Sequence, residues 1–249
     1  LVMRSMRVAS GEHNIQSFGE LVSRWWGQHY KILQRFTGIL IIIFLGSYIA
    51  AQLIAGSKAL HTLFDWSYGV GAIIGAVMVL IYSFAGGLRA SIWTDAAQSF
   101  VMIGSLMLLF FYALAEVGGW SSTISQLNQV SPTYMNWFPA ESTSLLSDIL
   151  FFLMWFFFGL GMPGQPHIVV RYMSLDDPQN LNRLRFYYYL MFILFYIAAI
   201  MVGLLTRLLL NVDVNSFDFE LALPTIAVQL LPAPLVGLML AGLFAATMS

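Results

Sequence analysis

Five stretches of this chain, at about 36–57, 68–88, 92–117, 145–170 and 184–210, are each apolar over roughly the 20 residues a helix needs to cross a bilayer. A sixth starts near 234 and runs to residue 249. In hydrocarbon no water satisfies the main chain, so such stretches must be helices that pair their own amides and carbonyls. The expected fold is therefore an all-α integral membrane protein with about six transmembrane helices. Composition agrees. Hydrophobic residues make up 59% and charged residues only 9%, against roughly 25% charged in soluble domains.

One span carries its own interruption. Residues 159–167 read Gly-Leu-Gly-Met-Pro-Gly-Gln-Pro-His. Each proline removes a donor from the helix ladder and each glycine loosens the backbone. Two readings stand. One is a kinked packing helix, since Pro and Gly are common in membrane spans. The other is a discontinuous helix of the kind that builds a binding site in ion-coupled transporters.

The connections alternate in charge. Residues 1–35, 89–95 and 171–185 hold nine of the eleven basic residues: Arg4, Arg7, Arg24, Lys31, Arg35, Arg89, Arg171, Arg183 and Arg185. Lys58 falls in the opposite set of connections, and Arg207 lies near that end of a span. The positive-inside rule places 1–35 in the cytoplasm as a polar, amphipathic arm, with Trp25, Trp26 and Tyr30 at the interface. The bundle then occupies 36–249. Segment 221–231 is too short to cross and is ended by Pro232 and Pro234. It reads as a short outer-surface helix, either a lid or a plain interfacial helix. The Ser-, Thr- and Asn-rich stretch 118–144 reads as a solvated connection. The chain starts at Leu1 and stops inside an apolar run, so it is expected to be an internal fragment with the rest of its chain missing at both ends.

Catalytic chemistry finds no support. There is no cysteine, and His13, His29, His61 and His167 do not share a helix face at metal-ligand spacing. No nucleophile elbow, zinc motif or phosphate loop is present. No enzyme activity, organic cofactor or nucleic-acid partner is expected. Among the few acidic residues near spans, Asp95 follows Trp93-Thr94 at the start of an apolar helix. It reads as a helix cap or as a group on an ion path. The run 240–249 is rich in small residues. It suits close helix packing, or a sodium site in which the Ala246 carbonyl and the Ser249 hydroxyl present hard oxygens on one face.

Three blocks in order carry a resemblance: Gly86-Gly87-Leu88-Arg89-Ala90-Ser91-Ile92-Trp93-Thr94-Asp95, then Gly161-Met162-Pro163-Gly164-Gln165-Pro166-His167-Ile168-Val169-Val170-Arg171-Tyr172-Met173, then Ala245-Ala246-Thr247-Met248-Ser249. Together they resemble the sodium:solute symporter family, most closely its sodium/proline branch. The resemblance implies a partial leucine-transporter-like bundle of two inverted five-helix repeats (5+5), with core helices three to eight in this chain. It implies a multi-pass protein of the bacterial cytoplasmic (inner) membrane whose partners are lipid, a small solute and Na⁺ as the coupling ion. Segment 221–231 would be the external gating helix.

The resemblance also implies site residues. Ala246 and Ser249 would give part of the sodium site. The substrate pocket would lie along the broken helix, at Phe158, Gly161, Met162, Gln165 and Pro166. The family pattern places Trp, Tyr and Pro where this chain has Phe158, Met162 and Pro166. Phe158 keeps a flat apolar wall without the indole donor, and Met162 trades a phenol hydroxyl for a flexible thioether. A buried polar group left without its partner costs about 1–3 kcal/mol, so the altered wall admits a related amino acid or another small solute beside proline, and the expected substrate is proline or a related amino acid. The expected activity is Na⁺-coupled import by alternating access. The competing expectations are a solute-sensing, transporter-like domain of a histidine-kinase sensor and a purely structural membrane subunit.

Overall fold

The computed structural model describes residues 2–25, 28–131, 133–139, 144–175, 177–210, 212 and 216–248. Helices dominate: α1 (Val2–Glu12), α2 (Phe18–Ser23), α3 (Lys31–Phe64), α4 (Tyr68–Val117), α5 (Trp120–Val130), α6 (Leu145–Gly161), α7 (Pro166–Met173), α8 (Leu181–Leu209), α9 (Ala222–Leu230) and α10 (Ala233–Met248). Among the described residues the β-structure is one antiparallel pair in the arm, β1 (Arg24–Trp25) on β2 (Gln28–His29). Four segments among the described residues are long and apolar enough to cross a membrane: Lys31–Phe64, Ser83–Val117, Leu145–Gly164 and Leu181–Leu209. Tyr68–Ile81, Phe219–Leu230 and Ala233–Thr247 are shorter apolar helices.

The 50 residues of α4 would make a rod of about 75 Å if straight, more than twice the ~30 Å hydrocarbon thickness. The chain avoids this at one residue. Gly87 has φ 55° and ψ −151°, the only non-helical pair inside α4. That region is essentially glycine-only. Its neighbour Gly86 is also constrained, because a Cβ there would sit 2.2 Å from the Ala90 Cβ. The expected spans at 68–88 and 92–117 therefore meet at a one-residue turn rather than across a loop. Helix α4 ends in a Schellman motif. Gly118, at φ 91°, donates to the Ala115 carbonyl, and Gly119 donates to that of Leu114. The stretch expected as a plain connection then holds α5, whose Thr123 and Leu127, one turn apart, are both buried.

The chain divides into two compact units, Leu1–Ser47 with Asn136–Tyr187, and Tyr48–Met135 with Tyr188–Ser249. In the first, the arm packs on α7: Ile15, Val169 and Met173 are buried together, with Met6, Phe18 and Leu21 against them. The Arg7 side chain donates to the Leu175 carbonyl. In the second, α4, α8, α9 and α10 enclose a core that includes Leu109, Val202, Ile226 and Met239. Small residues bring its helices close. Gly71 of α4 lies against Ser57 of α3, and Gly242 of α10 lies against Ser105 of α4.

Candidate functional site

The interruption expected from the prolines is present and short. Helix α6 starts with a capping box, in which the Ser144 hydroxyl accepts from the Ser147 amide at 3.3 Å and the Ser147 hydroxyl accepts from the Ser144 amide at 3.2 Å. It stops at Gly161. A 3₁₀ turn covers Met162–Gly164, Gln165 is extended (φ −65°, ψ 134°), and α7 begins at Pro166.

Proline 163 would have served the Gly159 carbonyl, and proline 166 that of Met162. Both carbonyls are recaptured one residue earlier: the Met162 amide donates to Gly159 O, and the Gln165 amide to Met162 O at 3.3 Å. The Gln165 carbonyl accepts from the Ile168 and Val169 amides, each at 3.0 Å. So only Gln165 leaves helical geometry, a narrower opening than residues 159–166. The break is stabilised by its own tight turn.

Of the five residues expected to line a substrate pocket, Phe158 and Gly161 lie in the last turn of α6, Met162 in the 3₁₀ turn, Gln165 at the extended residue and Pro166 at the start of α7. Phe158 is 70% exposed, with its ring edge-on to Trp155 at 6.0 Å. Gly161 is exposed, while Met162, Gln165 and Pro166 are half-buried. The Gln165 side-chain amide lies 3.5 Å from the Met162 sulfur. Helix α6 buries none of its residues.

The remaining candidates belong to the other unit. Helix α4 runs through Asp95, with its non-helical residue eight positions earlier at Gly87, so Asp95 does not stand at a helix N-terminus. The neighbouring Thr94 hydroxyl bonds back to the Ala90 and Ser91 carbonyls at 3.0 and 2.9 Å. Ala246 is half-buried in the last turn of α10 and lines a cavity of about 320 Å³. Ser249 lies outside the described residues. The cavity is walled by α4, α8, α10 and the start of α9, and apart from Ser105, Thr206 and Glu220 its lining is apolar. Asp95 is not in that lining. The lining residue nearest in sequence, Met102, is seven positions on, about 10 Å along the helix.

One cluster has no counterpart among the expected site residues. The Lys58 ammonium, near the end of α3, is 2.6 Å from Asp218 Oδ2 and 2.6 Å from Glu220 Oε2. Asp218 Oδ1 also accepts from the Glu220 amide at 3.0 Å, capping the 3₁₀ turn Phe219–Leu221. The Lys58 hydrogen bond, first, and then the Glu220 amide hold the Asp218 carboxyl below its ordinary value of 3.8. A lowered acid stabilises the fold above its unfolded value and loses that effect as pH falls through the folded one. The difference in unfolding midpoint between wild type and Asp218→Asn is therefore expected to stay nearly constant from pH 7 to about pH 5 and to shrink progressively as pH falls through 3.8 and on through the lower folded value. An acid titration of both proteins by thermal unfolding checks this.

Long apolar helices, one of them broken by paired prolines, define a multi-pass helical membrane protein. Comparison with known proteins then places it: the chain belongs to the sodium:solute symporter family, whose model matches residues 1–249. Members of this family are transporters, not enzymes. A high-affinity proline transporter PutP from Bacillus subtilis (strain 168) is 31% identical over 179 residues, covering 72% of this chain and 37% of that protein. Sodium/proline symporter 2 from Staphylococcus saprophyticus is 30% identical over 222 residues, covering 89% and 42%. The Escherichia coli (strain K12) sodium/proline symporter is 29% identical over 157 residues, covering 62% and 30%. The aligned part of this chain thus corresponds to about two-fifths or less of the length of these relatives.

Proposed function

We propose that this chain is part of a Na⁺-coupled symporter that imports a small organic solute, proline or a related amino acid, by alternating access. The observation that carries the reading is membership of a sodium:solute symporter family whose matched relatives are named as proline transporters and sodium/proline symporters. The helix that stops at Gly161 and restarts at Pro166 supports it, because discontinuous spans build the midplane sites of such transporters.

In this reading the six apolar segments are core helices three to eight of two inverted five-helix repeats, and residues 1–35 face the cytoplasm. Phe158 and Met162 shape the solute wall, while Gly161, Gln165 and Pro166 bring main chain and a side-chain amide close to the solute. Ala246 offers a carbonyl, and Ser249 a hydroxyl, to the sodium ion. Asp95, half-buried on the cytoplasmic half of its span, lies on the ion path rather than at a cap. One charge moving inward supplies about 2.3 kcal/mol per 100 mV. That energy moves solute only if ion and solute together bind the outward-closed state more tightly than the open one.

The test is uptake by the full-length protein in proteoliposomes, across a panel of labelled amino acids and other small solutes, with and without an inward Na⁺ gradient. Proline or a close relative is expected to accumulate only with the gradient. Uptake of every transported solute at the same rate without Na⁺ would remove the symport reading.

A further inference from the structure

A second cavity, of about 220 Å³, lies beside the last turn of α8 in the second unit. Unlike the larger one, it is lined by neither Ala246 nor Glu220. It is smaller than the roughly 300–1,000 Å³ of sites for drug-sized ligands, so it suits a small molecule. Three of its lining residues, Tyr134, Thr206 and Arg207, carry side-chain donors.

Among the described residues none of these donors is spent elsewhere. The ion pairs there belong to Arg24, Lys58 and His61, and neither the Arg207 guanidinium nor the Tyr134 phenol has a hydrogen-bond partner. Thr206 departs from the habit of its kind. Thr62, Thr123 and Thr225 each donate to the carbonyl one turn back, the usual outlet for a helical threonine. The Thr206 hydroxyl makes no such bond, although the residue is only 6% exposed. A cation in the last turn of a helix is ordinary, because it meets the negative end of the dipole. That reason does not bring a phenol and a buried hydroxyl to the same space.

The rest of the wall is apolar and held by the core. Leu210 is buried, Val212 and Phe217 pack against the same cluster, and the Phe217 and Phe219 rings meet edge-on at 6.1 Å. Among the described lining residues none carries a carboxylate.

We propose that Arg207, Thr206 and Tyr134 form a binding site for a small organic monocarboxylate, whose carboxylate takes the three donors while its apolar body rests against Phe217 and Phe219. The guanidinium fork matches a carboxylate with two parallel hydrogen bonds, and the two hydroxyls donate to the lone pairs left over. A zwitterionic amino acid is disfavoured, because its ammonium would enter an apolar wall with no acid to meet it. The site therefore takes a different class of ligand from the solute proposed above.

Ligand-observed fluorine NMR of para-fluorobenzoate with the full-length protein in detergent tests this. Saturable binding is expected. Para-fluorobenzyl alcohol, the same ring without the charge, should bind at least about tenfold more weakly. Arg207→Gln should weaken para-fluorobenzoate by a similar factor, and Arg207→Lys, which keeps the charge but loses the fork, by less. Tyr134→Phe should cost about threefold, the size of one neutral hydrogen bond. Arg183→Gln removes a charge outside the cavity lining and should change nothing. Saturating proline should not displace the probe. Where Arg207→Gln does not fold, the Tyr134→Phe, Thr206→Val double variant removes the two hydroxyls instead and should weaken binding. Binding by the folded variant equal to wild type, equal binding of the alcohol, or displacement by proline would overturn the site. No transport is measured, so none of these results bears on sodium coupling.

Discussion

Gly71→Ala is expected to lower the unfolding free energy of the full-length protein by about 1–3 kcal/mol, the range for overfilling a packed contact. The cause is a crossing of α3 and α4 with no spare space. A Cβ on Gly71 would stand 2.9 Å from Ser57 Cα, 2.9 Å from Ser57 Cβ and 3.4 Å from Leu60 Cδ1. The leucine methyl can move, but the Ser57 backbone cannot without shifting a helix whose Ser57 is 2% exposed. Small residues serve this purpose between membrane helices, letting backbones approach where apolar burial against lipid gains nothing. Gly69, two residues earlier, is the control. A Cβ there meets nothing within 4 Å, and alanine is the better helix former by about 1 kcal/mol, so Gly69→Ala should be neutral or stabilising. Gly242→Ala should fall between the two. Its Cβ would lie 2.1 Å from the Ser105 hydroxyl, which can rotate away at the loss of its 3.0 Å bond to Met102 O, and 3.1 Å from Ser105 Cβ. Thermal unfolding in one detergent orders the three. Equal midpoints for Gly71→Ala and Gly69→Ala would mean that α3 and α4 do not meet at Ser57.

How much of this was legible in the sequence follows from the range of each effect. The break between α6 and α7 could be read from Pro163 and Pro166, because a missing amide acts on the nearest carbonyls whatever surrounds it. How small the break is could not. That depends on the Met162 and Gln165 amides swinging to carbonyls one residue nearer, a choice of turn geometry that several backbones would allow. Helix α9 was visible because two prolines, Pro232 and Pro234, end a short apolar run. Helix α5 was missed because its inward face is only Thr123 and Leu127 among polar residues, too sparse a stripe to separate from a loop. Asp95 was expected at a helix start because charged and polar residues cluster at 89–95. The helix runs through them, and the turn is made by Gly87 instead. The Lys58 ion-pair cluster could not be seen at all: Lys58 is an ordinary basic residue until the fold brings Asp218 and Glu220 to it from 160 and 162 positions away.

Gly87→Ala should be as damaging as Gly71→Ala, for a different reason. Space is not limiting, since a Cβ on Gly87 would meet nothing within 4 Å. The cost is conformational. At φ 55° and ψ −151° an L-residue sits in a region that only glycine enters freely, at a penalty of order 1–3 kcal/mol. Gly87→Asn separates this from a common left-handed turn. Asparagine tolerates the left-handed helical region near ψ +47°, but the ψ of Gly87 lies far from it, so Asn should be no better than Ala. Gly104→Ala, in the same helix and also facing open space, should be neutral or stabilising. Folded yield and thermal midpoint of the three variants decide the matter. If Gly87→Ala matches Gly104→Ala, residue 87 adopts ordinary helical geometry, and α4 would be an unbroken rod of about 75 Å. A rod of that length cannot fit two passes of a ~30 Å hydrocarbon layer, so the two-span reading of residues 68–117 stands or falls with this glycine.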